Sequence, residues 1–183
     1  RRRSSCHSLG LPHQVVHMWL VHPLPDKHSY RLLLQKRSDN KDSFPGLLDI
    51  SSAGHVPAGE SALDSAEREL EEELGINLHH QDKEAWWAPI KVGELKWLFE
   101  SQQQLRPGDV EWAMTYTLEL SDEIDPETWA PHLQKEEVSS VCWMDRDELL
   151  QCCMTQDKRF VPISMEQLKR LFHHLDQRFL SKK

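Results

Sequence analysis

The hydrophobic pattern of the chain predicts short strands interleaved with a few helices. Apolar, β-favouring runs at residues 15–21 and 30–37 predict two strands joined by a proline-containing connection. Residues 47–53 predict a further short strand that leads into a segment of helical periodicity at residues 60–74. In that segment, small or apolar residues recur at steps of three and four: Leu63, Ala66, Leu70 and Leu74. This spacing predicts a helix with one buried face.

Local signals mark both ends of this helix. Ser61 followed three residues later by Asp64 is a plausible capping pair at its start. Gly75 is the residue type that commonly closes a helix. We therefore expect the helix to end at Leu74.

The second half of the chain continues the mixture of strands and helices. The predicted elements are strands at residues 94–102, 110–120 and 138–144, and helices at 145–153 and 164–180. A turn at 106–109 separates the first two strands, and Asp145 is a candidate N-cap of the first helix. The last helix is amphipathic, with an apolar stripe of Met165, Leu168, Leu171, Phe172, Leu175 and Phe179. These elements predict an α+β fold in which helices cover both sides of a mixed sheet.

Most tryptophans of the chain fall in predicted strands. Core packing is the expectation for the strand tryptophans, which are Trp19, Trp97, Trp112 and Trp143. Trp86 and Trp87 lie outside the predicted strands, and one of them could stack on a base or another planar group.

Length and composition indicate one domain. The chain has 183 residues, 38% hydrophobic and 28% charged, enough for one well-cored domain spanning 1–183. We expect its core at about 13–153, the C-terminal helix at 164–180 and a flexible N-terminal segment at 1–12.

Net charge argues against two classes of partner, and cysteine content indicates the compartment. A net charge of −8 argues against binding a nucleic acid duplex and against electrostatic attachment to a membrane. No apolar run is long enough to span a bilayer. The four cysteines lack paired metal-ligand spacing and do not suggest a disulfide framework, which favours a reducing compartment. We expect the cytoplasm, or an organelle if the basic N-terminal segment is the remnant of a transit peptide.

Three glutamates of the predicted helix gather on one face. Glu69, Glu72 and Glu73 stand at i, i+3 and i+4, so their side chains share a patch. Like charges at this spacing destabilise a helix by roughly 0.2–0.5 kcal/mol per pair, and a cation would relieve the repulsion. Mg²⁺ prefers oxygen ligands such as these carboxylates, although an acidic run can also be a solvated surface. Arg68 can contact Glu60 or Glu72 and orient the carboxylates.

The spacing around these glutamates resembles a known motif. The fixed positions, read with gaps, are Gly54, Glu60, Arg68-Glu69-Leu70, Glu72-Glu73 and Gly75-Ile76. They match the box of the Nudix hydrolases, which cleave a nucleoside diphosphate, or another diphosphate, linked to a further group X. The resemblance implies an α/β/α sandwich, a small-molecule diphosphate substrate and frequent homodimers. It also implies Mg²⁺, with Mn²⁺ as an alternative, held by Glu69, Glu72, Glu73 and the carbonyl of Gly54.

Residues 35–55 resemble one branch of this superfamily more closely. The stretch QKRSDNKDSFPGLLDISSAGH is similar to isopentenyl-diphosphate isomerases and their hydrolase relatives. Such isomerases hold a metal with histidines and two downstream carboxylates, and several of those positions match here: His13, His55, Asp109 and Glu111. They also use a cysteine just before the glycine-histidine pair, where this chain has Ala53. Alanine cannot transfer a proton, so hydrolysis is favoured and isomerisation is the alternative.

The expected reaction is attack of metal-activated water on phosphorus. Glu72 is the first candidate for the general base, and Glu111, Glu136 and Glu137 are alternatives. Glu111 can equally be an ordinary solvent-facing strand residue. The substrate-binding candidates are Lys36, Arg37, Lys41 and His55. The three basic residues can equally be surface residues, and His55 can be a hydrogen-bonding residue at the helix entry or a metal ligand.

Two questions stay open at the level of sequence. A Nudix fold can serve as a diphosphate-ligand sensor without turnover, although its box carboxylates are then usually eroded. The group X is chosen by loops outside the box, and we expect residues 38–46 and 105–110 to line its pocket.

Overall fold

The computed structural model describes residues 11–24, 28–79, 93–106, 109–121, 124–129 and 131–180, with the backbone alone at residues 105, 106 and 109. The strands in this part of the chain are β1 (His13–Leu24), β2 (Ser29–Arg37), β3 (Leu48–Asp49), β4 (Ser52–His55), β5 (Lys96–Arg106), β6 (Asp109–Glu119) and β7 (Val138–Asp145). The helices are α1 (Ala62–Leu74), α2 (Arg146–Met154) and α3 (Met165–Phe179).

Strand β1 is the centre of one mixed sheet. It pairs in parallel with β6 over most of its length, while β4 and then β2 pair with it antiparallel along the other edge. The order of the main path is β3-β2-β1-β6-β5, and β7 pairs with β2. The mixed sheet predicted from the sequence is therefore confirmed.

The single strand predicted at residues 47–53 is wrong, because the chain there forms two short strands with different partners. β3 pairs with β2 and β4 pairs with β1. Ser51 lies between them, where its hydroxyl accepts a hydrogen bond from Leu20 N–H (2.8 Å) and donates one to Leu33 O (2.6 Å). This buried side chain connects β1 and β2 at the point where the new strand changes partner.

Helices cover both faces of the sheet. On one face, Leu70 and Leu74 of α1 pack with Val16, Met18 and Leu20 of β1. On the other face, α2 and α3 pack against alternate residues of the same strands, including Trp19, Leu32 and Leu34. Alternation along each strand thus supplies two apolar cores, and the fold is an α/β/α sandwich as expected.

The ends of α1 form as predicted. The Ser61 hydroxyl accepts the Asp64 N–H at 3.1 Å, and Gly75 adopts a left-handed conformation with φ 67°. At the start of α2, Asp145 occupies the N-cap position, but its carboxylate accepts a hydrogen bond from Arg31 (2.8 Å) and makes no cap hydrogen bond. An ion pair between strands replaces the predicted cap.

The tryptophans divide between core and surface. Trp19 is buried, whereas Trp97 and Trp112 are 58% and 43% exposed, so core packing is wrong for these two. Trp97 belongs to β5 and Trp112 to β6, the two strands at one end of the sheet order. Trp86, Trp87 and the predicted turn residues Pro107 and Gly108 lie outside the described residues.

No helix within the described residues is long and apolar enough to cross a membrane.

Two leucines of α1 provide a matched test of this packing. Leu70 is fully buried and Leu63 is 45% exposed on the same helix. We expect Leu70→Ala to lower the free energy of unfolding by about 2–5 kcal/mol, because it leaves a cavity between α1 and the sheet. Leu63→Ala should change it by less than about 0.5 kcal/mol. Urea unfolding of both variants measures the difference, and equal losses would contradict the assignment of faces.

Candidate functional site

A cavity of about 400 Å³ opens on the sheet face that α2 and α3 cover. Its wall contains alternate residues of β1, namely Val15, His17 and Trp19, together with residues 53–55 of β4. The loop after β2 and the segment 161–163 close other sides. The cavity therefore lies where β1 and β4 pair, and its lining includes Ala53 and Gly54, whose backbone Glu73 and Glu69 of α1 contact.

Gly54 lies in very close contact with Glu69 of α1. A Cβ atom built on Gly54 would lie 2.1 Å from Glu69 Cδ. A side chain at this position would thus occupy the space that the Glu69 carboxylate fills. The first glycine of the motif is explained by this approach of a helix carboxylate to a strand backbone.

Glu73 is buried between α1 and the sheet. Its Oε2 accepts hydrogen bonds from the Ala53 N–H and from the Gln35 side-chain amide, both at 3.3 Å. Burial raises the pKa of Glu73 to about 7, and the nearby charge of Glu69 acts in the same direction. Two carboxylates held together with so little water favour a positively charged ligand.

Arg68 holds the remaining box carboxylates. Its guanidinium donates to Glu69 Oε1 at 2.8 Å, to Glu60 Oε1 at 3.1 Å and to Glu72 Oε2 at 3.3 Å. The predicted contacts with Glu60 and Glu72 are therefore both present. Glu72 remains 52% exposed, in contrast to the buried Glu73. One arginine fixes Glu69 beside Gly54 and leaves Glu72 accessible to solvent.

A second group of metal-ligating side chains lies beside the cavity, and two of its members, His55 and Glu111, line it. His13 and Glu111 are paired residues of the parallel strands β1 and β6, and His55 lies on β4 opposite Val15. The His13 and His55 rings stack with centroids 4.9 Å apart. One ligand atom from each of His13, His55 and Glu111 lies within 4.8 Å of the others. The set could hold a metal, and its imidazoles suit a transition metal better than Mg²⁺.

Glu111 is buried and fixed by its neighbours, so the alternative of a solvent-facing strand residue is wrong. Its Oε2 accepts a hydrogen bond from Gln103 Nε2 at 2.6 Å, and its Oε1 lies 3.6 Å from His13 Nε2. Asp109 begins the same strand, and its side chain is outside the described part of the chain.

Two of the three basic candidates line the cavity. Arg37 donates to Asp49 Oδ2 at 3.0 Å and to the Ser43 carbonyl at 3.1 Å, and Lys41 forms an ion pair with Glu137. Lys36, the third candidate, is exposed and does not line the cavity.

Sequence reasoning did not single out several polar residues of the cavity. They are His17, Asp49, Gln103 and Gln167. Alternation from His13 along β1 is a signal that could have identified His17. The other three depend on contacts between elements far apart in the chain.

The chain resembles known proteins along most of its length. The NUDIX domain family model matches residues 16–164. Nudix hydrolase 3 of Arabidopsis thaliana is 36% identical over 180 residues, which cover 96% of this chain and 21% of that protein. An uncharacterized Nudix hydrolase of Clostridium acetobutylicum is 34% identical over 149 residues, 81% of this chain and 65% of that protein. The chain thus spans about a fifth of the first relative and just under two thirds of the second.

Solved structures share the fold at low sequence identity. DR0079 of Deinococcus radiodurans has a TM-score of 0.62 and 21% identity, covering 86% of this chain and 82% of that one. The NUDIX domain of Shewanella oneidensis NrtR, solved with ADP ribose, has a TM-score of 0.58 and 17% identity, covering 90% and 88%. These similarities support the sandwich described above.

The contact between Gly54 and Glu69 yields a direct prediction about cation binding. We expect Gly54→Ala to displace the Glu69 carboxylate and to weaken Mn²⁺ binding roughly 10- to 100-fold, as changes beside metal ligands commonly do. Gly93→Ala is the matched control, because a Cβ there meets no atom closer than 3.4 Å. Electron paramagnetic resonance titration measures both affinities. An unchanged Mn²⁺ affinity in Gly54→Ala would show that cation binding does not depend on the contact between Gly54 and Glu69.

Proposed function

The chain belongs to the NUDIX domain family, and we propose that it hydrolyses a diphosphate linkage in a nucleoside diphosphate-X or a related organic diphosphate. One observation carries the proposal. Glu69 and Glu73 approach the β4 backbone at Gly54 and Ala53, at the edge of a cavity lined by Arg37 and Lys41. Carboxylates for a cation and cationic side chains for phosphate oxygens thus occur together.

The box residues fit a hard divalent cation. Glu69, Glu72, Glu73 and the Gly54 carbonyl offer only oxygen atoms, which suits Mg²⁺, with Mn²⁺ as the alternative. The space that a Cβ at Gly54 would fill is taken by one of these carboxylates. When bound, the cation would neutralise charge on the diphosphate and lower the pKa of a water molecule.

Glu72 is the proposed general base. It is the most solvent-accessible of the three box glutamates, and Arg68 holds its carboxylate in place. A carboxylate held in this way can accept a proton from water. Glu111 and Glu137 are the weaker choices, because Gln103 and Lys41 respectively already engage them. Glu136 is exposed on the adjacent turn.

Arg37 and Lys41 are the proposed ligands of the phosphate oxygens. Asp49 and the Ser43 carbonyl hold the Arg37 guanidinium in the cavity wall before any substrate arrives. Lys41 would exchange its partner Glu137 for a phosphate oxygen. Such preorganised cations lower the entropic cost of binding a diphosphate. His55, next to Gly54, would contact the substrate or contribute to the second group of metal ligands.

A second candidate function is isomerisation of isopentenyl diphosphate. The grouping of His13, His55 and Glu111 favours it, together with the similarity of residues 35–55 to that branch. Ala53 opposes it, because this cavity-lining residue stands where an isomerase has its cysteine. None of the cysteines in the described part of the chain, Cys142, Cys152 and Cys153, lines the cavity.

A panel of organic diphosphates assayed with and without Mg²⁺ separates these functions. Release of phosphate or of a monophosphate supports hydrolysis, and formation of dimethylallyl diphosphate supports isomerisation. Binding without turnover supports the alternative of a diphosphate-ligand sensor.

The box glutamates provide the sharpest test by substitution. We expect Glu72→Gln and Glu73→Gln each to reduce turnover by orders of magnitude with the fold intact, because each removes a negative charge without changing shape. Glu71→Gln is the control, since Glu71 is exposed on the same helix and bonds Asn77. Steady-state kinetics on the best substrate of the panel measures the effect. Near-normal hydrolysis in both variants would refute the assignment.

Substitutions of Lys41 and Lys36 distinguish a phosphate-binding role from a general effect of surface charge. We expect Lys41→Met to raise KM about tenfold, the effect of losing one hydrogen bond from a charged group. Lys36→Met removes the same charge outside the cavity and should leave KM within about twofold. The same kinetics, with inorganic pyrophosphate as a competitor, compares them. Equal effects would show that Lys41 has no special role.

A further inference from the structure

His17 stands in the cavity wall at a position that neither the motif nor the proposed metal ligands include. It pairs with Ala53 of β4 on one side and with Thr115 of β6 on the other. Its side chain lines the cavity together with those of Val15 and Trp19. Gly54 and Val16 form the neighbouring pair on the opposite face, toward α1. His17 therefore lies in the cavity wall beside Ala53, the residue whose N–H donates to Glu73.

Gln103 determines which nitrogen of His17 carries the proton. The Gln103 amide donates to Glu111 Oε2 at 2.6 Å, and because a carboxylate only accepts, the NH₂ group must lie on this side. The same nitrogen lies 3.3 Å from His17 Nε2. Nε2 is therefore the acceptor of the second amide N–H, and the proton of the neutral ring is on Nδ1.

The surroundings keep this imidazole uncharged. Val15, Trp19, Ile50 and Ala53 give the neighbouring wall an apolar character. Desolvation by burial lowers the pKa of His17 to about 4. At neutral pH the ring thus offers a hydrogen-bond donor without a positive charge.

A neutral donor and a cation select different oxygens. Arg37 and Lys41 line the same cavity and offer positive charge for phosphate oxygens. A neutral N–H between the apolar side chains of Val15 and Trp19 matches an uncharged oxygen, and a site built around such a donor rejects analogues that lack the acceptor.

We propose that His17 is a substrate-binding residue that donates its Nδ1–H to a hydroxyl, ether or carbonyl oxygen of the group X. The chain then prefers diphosphates whose X carries oxygen, such as a sugar, over those whose X is a hydrocarbon. This inference rests on the proposed function, because it assigns a binding residue to the group X, whereas the box residues act at the diphosphate.

Three substitutions at His17 separate the donor from the bulk of the ring. Asn places an amide nitrogen near the position of Nδ1, Gln places one near Nε2, and Phe retains a ring without any donor. The substrates are UDP-glucose and ADP-ribose on one side, and isopentenyl and geranyl diphosphate on the other. Turnover is measured as kcat/KM and binding by calorimetry.

We expect His17→Phe and His17→Gln to lower kcat/KM for the oxygen-bearing substrates by about tenfold, the effect of one lost neutral hydrogen bond. His17→Asn should retain it within about threefold. The hydrocarbon diphosphates should change little in all three variants. Equal losses on both substrate classes, no loss on either, or an Asn variant as poor as the Phe variant would each overturn the proposal.

A second variant pair guards against simple misfolding. Gln103→Leu frees the His17 ring without altering it, whereas Gln102→Leu makes the same change at an exposed residue of β5. The proposal is supported if Gln103→Leu loses the preference for oxygen-bearing diphosphates while Gln102→Leu keeps it. An equal preference in the two variants would oppose the proposal.

Failure of the two proposals gives different results. If no diphosphate is hydrolysed but His17→Phe weakens calorimetric binding of UDP-glucose or ADP-ribose, the role of His17 stands and hydrolysis is refuted. If hydrolysis occurs and the substitutions leave the preference for oxygen-bearing substrates unchanged, hydrolysis stands and the role of His17 is refuted. If the unmodified chain binds neither oxygen-bearing ligand, the role of His17 is refuted.

Discussion

The contact between the acidic face of α1 and the backbone of β4 is the constraint on which the rest of the site depends. Glu69 fills the space beside Gly54, and Glu73 is buried against the Ala53 N–H. Burying carboxylates is unfavourable unless hydrogen bonds or cations compensate for the lost water. Arg68 compensates one of them from the protein, and a bound cation would compensate the pair. Strand β4 therefore lies against both β1 and α1, and its residues Ala53 and Gly54 also line the cavity.

Strand β1 brings the two sides of the site together because its side chains alternate. Its even-numbered residues pack under α1, and its odd-numbered residues, from Val15 to Trp19, line the cavity. One strand thus packs under the helix that carries the box carboxylates and also places His17 in the cavity wall. In the proposed function, the box carboxylates would hold the cation, Arg37 and Lys41 would bind the diphosphate, and His17 would contact the group X.

Features that depend on neighbours along the chain were predictable from the sequence. The box helix, its caps and the contacts of Arg68 with Glu60 and Glu72 follow from helical spacing, which is local and regular. Features that depend on pairing between strands far apart in the chain were not predictable from the sequence. Residues 47–53 divide into two strands because β3 pairs with β2 whereas β4 pairs with β1. Trp97 and Trp112 of the paired strands β5 and β6 remain 58% and 43% exposed. Gln103 meets His17 only after three strands have assembled.

We propose that the carboxylates at the contact between α1 and β4 bind the divalent cation. Anomalous diffraction at the manganese edge, from crystals grown with Mn²⁺, locates such a cation without relying on activity. We expect a peak between Glu69, Glu73 and the Gly54 carbonyl. A peak confined to the group formed by His13, His55 and Glu111, or no peak beside Glu69 and Glu73 at saturating Mn²⁺, would contradict it.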